Sequence, residues 1–251
     1  MKYIEKGEEP EIFTNWKAQE NDDWKPYWNT KDTNFQAPEK PVVHDALLIE
    51  QGYICCYCGM RIFRTRGLRF NSVPIRFWIF LFDSNCLAGI LFLSKSPTSH
   101  IEHLRPRSRY PDLALEYTNF MASCQGEDEE EPSIPVHCGH KKKEWYDENL
   151  MVSPLEPNCA DFFKYPASGE ILPTDDLDKK NVAETTIQHL ALDINKLRNL
   201  RKAAIDAALF NLEYLSEEEI QQLTLGYELP DSNGQYTPFC SAIIYVLKSY
   251  F

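Results

Sequence analysis

Residues 55–59 read CCYCG and place Cys55 and Cys58 at C-x₂-C spacing. This spacing lets two thiolates of one tight turn face a single Zn²⁺ ion, and Gly59 can complete the turn. One such pair is a weak signal, because structural zinc is held by four ligands. The motif therefore predicts a structural zinc site only if a second pair of ligands lies elsewhere in the chain.

The best candidates for the second pair are Cys124 and Cys138, which are separated by thirteen residues. Cys159 is the next candidate if that pair is misassigned, and the alternative to a metal site is a set of unrelated buried thiols. The N-terminal residues 1–13 (MKYIEKGEEPEIF) lack the apolar core of a signal peptide. We therefore expect a cytoplasmic protein whose thiols stay reduced, which favours metal over disulfides.

The chain carries a second cluster of chemical groups at residues 100–106 (HIEHLRP). On a strand, alternating side chains share a face, so His100 and Glu102 point one way and His103 the other. A carboxylate beside an imidazole suits metal-assisted hydrolysis of a phosphodiester: the carboxylate holds a divalent cation such as Mg²⁺, and the imidazole takes a proton from water. Asn119 can fix the tautomer of the imidazole with its side-chain carbonyl, and His140 can supply a nitrogen ligand.

The composition of the 251 residues is that of an ordinary folded protein, with 43% hydrophobic and 25% charged residues. Global disorder and collagen-like structure are therefore excluded. The formal net charge of −12 excludes a generally basic protein that coats nucleic acid. It leaves room for an enzyme with a locally basic site, because residues 127–131 (EDEEE) carry five of the negative charges.

Residues 77–93 (FWIFLFDSNCLAGILFL) form an apolar stretch that must be weighed as a membrane span. A spanning helix needs about 20 mostly apolar residues. Here a turn-forming triplet at residues 83–85 interrupts two short apolar runs, which favours a β-hairpin. We expect no membrane association.

The pattern along the chain divides it into three regions. Residues 1–52 form a loop-rich entry segment that ends in a helix at 41–51, and residues 53–175 hold the candidate site chemistry and end in a short hairpin at 154–173. Residues 176–251 have helical periodicity, including a capping box at 216–219 (SEEE). We predict an α+β fold with a mostly helical C-terminal region.

The site residues resemble those of the HNH endonucleases. That family has Asp-His or Glu-His before x-x-Pro, then Asn five residues ahead of a cysteine, then a cysteine followed closely by His or Asn and by Lys. The matching residues here are Glu102-His103 before Pro106, Asn119 ahead of Cys124, and residues 138–143 (CGHKKK). The resemblance implies a zinc-braced ββα-metal core. Gly139 departs from the commonest Cys-His order, so His137 rivals His140 as the cation ligand, and His100 rivals Glu102.

The wider sequence is similar to a narrower group, the PtuB-like HNH subunits of Septu-type and retron-associated anti-phage defence systems. The shared stretches include residues 1–7 (MKYIEKG), 50–62 (EQGYICCYCGMRI), 99–113 (SHIEHLRPRSRYPDL), 117–124 (YTNFMASC) and 137–143 (HCGHKKK). In that group the nuclease works with an ABC-type ATPase partner. Residues 63–98 lengthen the linker beyond the family pattern, and we expect them to form a hairpin-like insertion whose ends stay close.

Basic residues flank the motif on both sides and are expected to contact the phosphates of a nucleic acid. They are Arg105, Arg107, Arg109, Lys141, Lys142 and Lys143. The sequence as a whole predicts a metal-dependent endonuclease that hydrolyses DNA or RNA. The rival hypothesis is a non-catalytic zinc-binding adaptor that docks a partner protein.

Overall fold

The computed structural model describes residues 1–64, 98–126 and 135–251. Along these ranges two helices precede two strands, one helix and two further strands follow, and four helices form the C-terminal region; short 3₁₀ turns connect several of these elements. The helices are α1 (Glu11–Lys17), α2 (Glu39–Glu50), α3 (Cys138–Lys142), α4 (Leu177–Leu190), α5 (Asn195–Leu209), α6 (Glu217–Glu228) and α7 (Cys240–Leu247). The strands are β1 (Ser99–His103), β2 (Phe120–Cys124), β3 (Phe163–Lys164) and β4 (Leu172–Pro173).

Strands β1 and β2 form an antiparallel pair at the centre of the candidate site. Their register places Ser99 opposite Cys124 and His103 opposite Phe120. Helix α3 follows β2 and packs against it. The described residues therefore combine helices with two small sheets, as the α+β prediction requires, and they contain a strand–strand–helix succession. That this succession is a ββα-metal core stays a prediction.

The N-terminal segment packs an aromatic cluster onto β2. The rings of Phe13 and Phe35 lie 4.8 Å apart, Phe13 lies 6.0 Å from Phe120 of β2, and Phe35 lies 5.3 Å from Trp28. Buried residues of this segment, of the cysteine region and of the C-terminal helices belong to one hydrophobic core. Large aromatic side chains bury much apolar area each, which explains how a loop-rich segment is held in place.

The predicted elements outside the site agree with the structure. The helix expected at 41–51 is α2, and the hairpin expected at 154–173 is the pair β3–β4. Ser216 and Glu219 form the capping box, although α6 already begins at Glu217. The helical periodicity expected over 176–251 is interrupted by a left-handed turn at Ala191, which separates α4 from α5.

The two ends of the expected insertion lie side by side. The backbone N–H of Phe63 donates to Thr98 Oγ1 over 2.6 Å, and the N–H of Thr98 donates to the carbonyl of Phe63 over 3.2 Å. The hairpin expected between them, with the apolar stretch 77–93, lies outside the described residues, as does the acidic run 127–131. Among the described helices, none has the length and apolarity needed to cross a membrane.

His44 of α2 makes the stability of the fold depend on pH. It is buried, its Nε2 lies 3.0 Å from Ser99 Oγ, and burial lowers its pKa to about 4. The unfolded chain binds the proton more tightly, with a pKa of about 6.5. Stability should therefore be lost as the pH falls from about 6.5 towards about 4.

We expect His44→Gln to reduce this pH dependence. The difference in unfolding free energy between about pH 7 and about pH 5 should shrink by about 2 kcal/mol in the variant. Urea unfolding of both proteins at the two pH values measures the difference. Comparing the two proteins cancels the pH dependence that comes from the cysteines, and an equal difference in both would contradict the prediction.

Candidate functional site

Four cysteines from three separate segments meet in the core. The sulfur atoms of Cys55, Cys58, Cys124 and Cys138 all lie within 4.8 Å of one another, and the Cys58 and Cys124 sulfurs are 3.9 Å apart. Four sulfurs each about 2.3 Å from one zinc ion lie about 3.8 Å apart in a tetrahedron. The cluster can therefore hold a metal such as zinc. Cys159, the alternative ligand, does not belong to this group.

The local structure explains how the first pair reaches the cluster. The N–H of Gly59 donates to the carbonyl of Cys55 over 3.0 Å, and Gly59 has φ +77°, a conformation that favours glycine. Burial opposes charge on Cys55, but hydrogen bonds with Cys124, Cys138 and other neighbouring thiols outweigh burial and lower the pKa of Cys55. Cys55 thus favours the thiolate, the form in which cysteine binds zinc. A hydrogen bond with Cys138 lowers the pKa of Cys124, but those with Cys55 and Cys58 outweigh it and raise that pKa, and burial raises the pKa of Cys138.

Strand β1 places a carboxylate and an imidazole side by side, as the alternation of side chains predicts. His100 Nε2 lies 3.4 Å from Glu102 Oε2. On the other carboxylate oxygen, Tyr57 Oη donates over 3.3 Å and Lys142 Nζ forms an ion pair at 2.9 Å. Burial alone would raise the pKa of Glu102, but His100 and Lys142 outweigh it and hold that pKa at about 2. Glu102 is therefore a carboxylate at neutral pH.

The imidazole of His100 lies beside Glu102, and the imidazole of His140 lies against that of His100. Nδ1 of His100 is buried without a hydrogen-bond partner among the described residues. The ring of His140 stacks on His100 with centroids 4.5 Å apart. His137 lies instead against the cysteines, with Nδ1 3.2 Å from Cys138 Sγ. The structure thus brings His140, rather than His137, against His100, the neighbour of Glu102. Among the described residues, the group that could hold a metal ion consists of the four cysteines and does not include Glu102, His100 or His140.

Gly139 has a steric reason to be glycine. A Cβ at this position would lie 2.6 Å from Glu102 Oε2 and 2.8 Å from His100 Nε2. The residue that departs from the commonest family order therefore lets the first turn of α3 approach the carboxylate. It leaves open the space in which Glu102 and His100 can share a ligand.

Gly139→Ala should disrupt this space. Alanine favours helices more than glycine does, by about 1 kcal/mol, so any loss of activity in this variant arises from crowding at Glu102. We expect cation-dependent activity to fall at least about tenfold. Gly226→Ala on α6 is the matched control, because a Cβ there meets nothing within 4 Å. Activity is measured by cleavage assay. Equal activity in the two variants would show that the close approach of the Gly139 backbone to Glu102 does not affect activity.

His103, at the end of β1, is buried on the opposite side of the strand. Its Nε2 lies 3.0 Å from the carbonyl oxygen of Ala114. A carbonyl oxygen only accepts, so Nε2 carries the hydrogen and Nδ1 is the basic nitrogen. The rings of Trp28 and Phe120 pack against the imidazole at 4.6 and 4.9 Å. Burial lowers the pKa of His103 to about 4, so its imidazole is neutral at neutral pH.

The expected contact between Asn119 and the imidazole is wrong. Asn119 Oδ1 accepts from the backbone N–H of Arg105 over 2.8 Å. Its Nδ2 donates to the carbonyls of Arg105 and Leu113 over 3.0 and 3.1 Å. Asn119 therefore bridges the two ends of the loop that follows β1, and it positions Ala114, whose carbonyl fixes the tautomer of His103.

One of the six basic residues expected to contact phosphate is wrongly assigned. Lys142 is only 2% exposed, and its Nζ bonds to Glu102 and to the carbonyl of His103 over 2.8 Å. Because α3 begins at the buried Cys138, Lys142, four residues further on, lies on the same buried face of the helix. The other five, Arg105, Arg107, Arg109, Lys141 and Lys143, are exposed or half-buried.

Sequence reasoning missed two features beside His103, the carbonyl of Ala114 and the ring of Trp28. A backbone carbonyl leaves no mark in a sequence. Trp28 belongs to an aromatic-rich segment that predicts packing, and nothing in its spacing connects it to His103.

Comparison with known proteins agrees with the motifs. No family model matches the chain. The chain is similar to a protein of Vibrio cholerae serotype O1 biovar El Tor, named "Retron Vc95 putative HNH endonuclease". The two are 30% identical over 118 residues, which are 45% of this chain and 54% of that protein. The chain thus spans about half the length of this relative, and the likeness supports the HNH resemblance.

Proposed function

We propose that the protein is a metal-dependent HNH-type endonuclease that hydrolyses phosphodiester bonds of nucleic acid. The observation that carries the proposal is the orientation of His103. Its Nε2–H is held by the carbonyl of Ala114, which leaves Nδ1 free to act as a base, and the carboxylate of Glu102 lies at the neighbouring position of the same strand.

In the proposed reaction His103 Nδ1 takes the proton of the attacking water. The carbonyl of Ala114 then stabilises the imidazolium through the Nε2–H bond. Burial makes His103 a weak base, but a phosphate beside the ring raises its pKa towards neutrality, where general-base catalysis is most effective. Asn119 keeps the loop in place and acts as a positioning residue.

Glu102 and His140, with His100 as a further nitrogen donor, would hold the divalent cation. A bound Mg²⁺ or similar ion supplies charge stabilisation for the leaving oxygen. Lys142 and Tyr57 hold the second carboxylate oxygen of Glu102 and so fix the direction of the first. Tyr57 also lies between the zinc-type cysteines, which ties the orientation of Glu102 to the structural cluster.

The biological setting that we propose is an anti-phage defence system of the Septu or retron-associated type. The name of the Vibrio cholerae relative places that protein in a retron. We propose that this chain is the nuclease effector and acts in the cytoplasm with an ABC-type ATPase. Exposed apolar side chains on the C-terminal region, among them Phe210, Tyr214 and Leu229, offer a surface for that partner.

Cleavage assays on plasmid DNA and on RNA, with Mg²⁺ and with Mg²⁺ omitted, test the proposal. We expect cleavage of at least one substrate only when the divalent cation is present. A folded, zinc-loaded protein that cleaves neither substrate, alone or with the proposed ATPase partner, would favour the adaptor hypothesis instead.

A further inference from the structure

Two cations, Lys40 and Arg107, share one aromatic ring next to His103. Lys40 Nζ, on the first turn of α2, lies 5.0 Å from the ring centroid of Trp28, and Arg107 Cζ lies 4.7 Å from the same centroid. The two charges are therefore no more than about 10 Å apart. The ring of Trp28 itself packs edge-on against the imidazole of His103.

Within the part of the chain that the structure describes, neither cation has a hydrogen-bonding or ion-pair partner. Every other described arginine donates at least one side-chain hydrogen bond. Arg107 donates none to the described residues, and Lys40 Nζ donates none either, with no ion pair for either group within 4.0 Å in those ranges. A guanidinium has five N–H donors and an ammonium three, so the half-buried pair presents eight unused donors.

The pKa shifts of Lys40 and Arg107 also favour a bound anion. Burial lowers the pKa of Lys40, and the charge of Arg107 lowers it further. Burial also lowers the pKa of Arg107, although Glu144 and Glu102 partly oppose this. Two half-buried like charges that form no ion pair within 4.0 Å among the described residues are costly, and an anion bound between them would reduce that cost.

We propose that Lys40, Trp28 and Arg107 form a binding site for the phosphate backbone of a nucleic acid beside His103. The inference rests on the proposed nuclease function and extends it to the N-terminal segment. Trp28 holds both cations by cation–π contacts, and the cations bind one phosphate or two successive phosphates of a strand. The backbone is thereby held next to the base that activates water.

Binding measurements without added Mg²⁺ test this site while the proposed reaction is switched off. The probes are a short fluorescein-labelled DNA duplex and a short labelled RNA, read by anisotropy from about 50 to about 200 mM salt. We expect Lys40→Gln and Arg107→Gln each to weaken binding about tenfold at the lowest salt, and to reduce the slope of log K against log salt by about one unit.

Lys202→Gln is the matched control, because it removes the same charge from an exposed lysine that pairs with Asp206. Equal effects of Lys40→Gln and Lys202→Gln on affinity and on slope would overturn the site. Cleavage by the wild type is measured separately. If the wild type cleaves and Lys40→Gln binds as tightly as the wild type, this inference fails and the proposed function stands. If the wild type neither binds nor cleaves, the proposed function fails as well.

Discussion

Replacing His103 by alanine should abolish cleavage while the protein stays folded and loaded with metal. His103 is the one imidazole of β1 whose Nε2 is held by a backbone carbonyl, so its removal takes away the base without touching the cysteine cluster. Loss of a general base typically slows a reaction about 10²- to 10⁴-fold. The rate is measured on the better of the plasmid and RNA substrates at saturating Mg²⁺.

Two further variants separate chemistry from packing. His103→Asn keeps a polar side chain between Trp28 and Phe120 and should be as inactive as His103→Ala. His189→Ala, on the exposed face of α4, removes a histidine elsewhere and should cleave at the wild-type rate. Near-normal cleavage by a folded His103→Ala protein would exclude His103 as the base and direct attention to His100.

Loss of any one cysteine of the cluster should unfold the site region rather than merely slow cleavage. Purified protein should contain about one zinc ion per chain by elemental analysis. Zinc contributes about 10 to 16 kcal/mol to the folding of small zinc domains, which is as large as the whole stability of a typical protein. Cys138→Ser should therefore lose zinc and unfold at a much lower temperature.

Cys159→Ser is the control that tests the choice of ligands. Cys159 is also buried, but it lies outside the group of four sulfurs. The variant should retain zinc and lose only the modest stability of a buried thiol. Zinc content that stays unchanged in Cys138→Ser, or falls in Cys159→Ser, would show that the cluster is not the zinc site.

Much of the candidate site was predictable because its chemistry is local. The C-x₂-C turn, the alternation of His100 and Glu102 on β1 and the spacing of Asn119 before Cys124 are all short-range patterns. Helix α2 and the capping box of α6 follow from periodicity and cap residues for the same reason. The pairing of Cys124 and Cys138 with the first two cysteines was predictable only as the best choice among several thiols.

The two errors at the site concern which partner a side chain meets in the folded protein. Asn119 was expected to meet His103, but Arg105 and Leu113 offer closer backbone partners in the folded loop. Lys142 was expected to contact phosphate together with Lys141 and Lys143. In the structure α3 directs its side chain inward, where it forms an ion pair with Glu102. Residue type predicts which hydrogen bonds a side chain can make, and only the fold decides which partner is within reach.

The sequence by itself determined the chemical inventory of this protein: four zinc-type cysteines, an acid–imidazole pair on one strand, and a helical C-terminal region. The tertiary structure alone decided how that inventory is used. In the folded protein the carbonyl of Ala114 accepts from His103, and the backbone of Gly139 lies against Glu102. Trp28 contacts Lys40 and Arg107 at the edge of the site. The physical reason is that spacing along a chain determines local geometry, whereas these contacts arise when separate segments pack around one core.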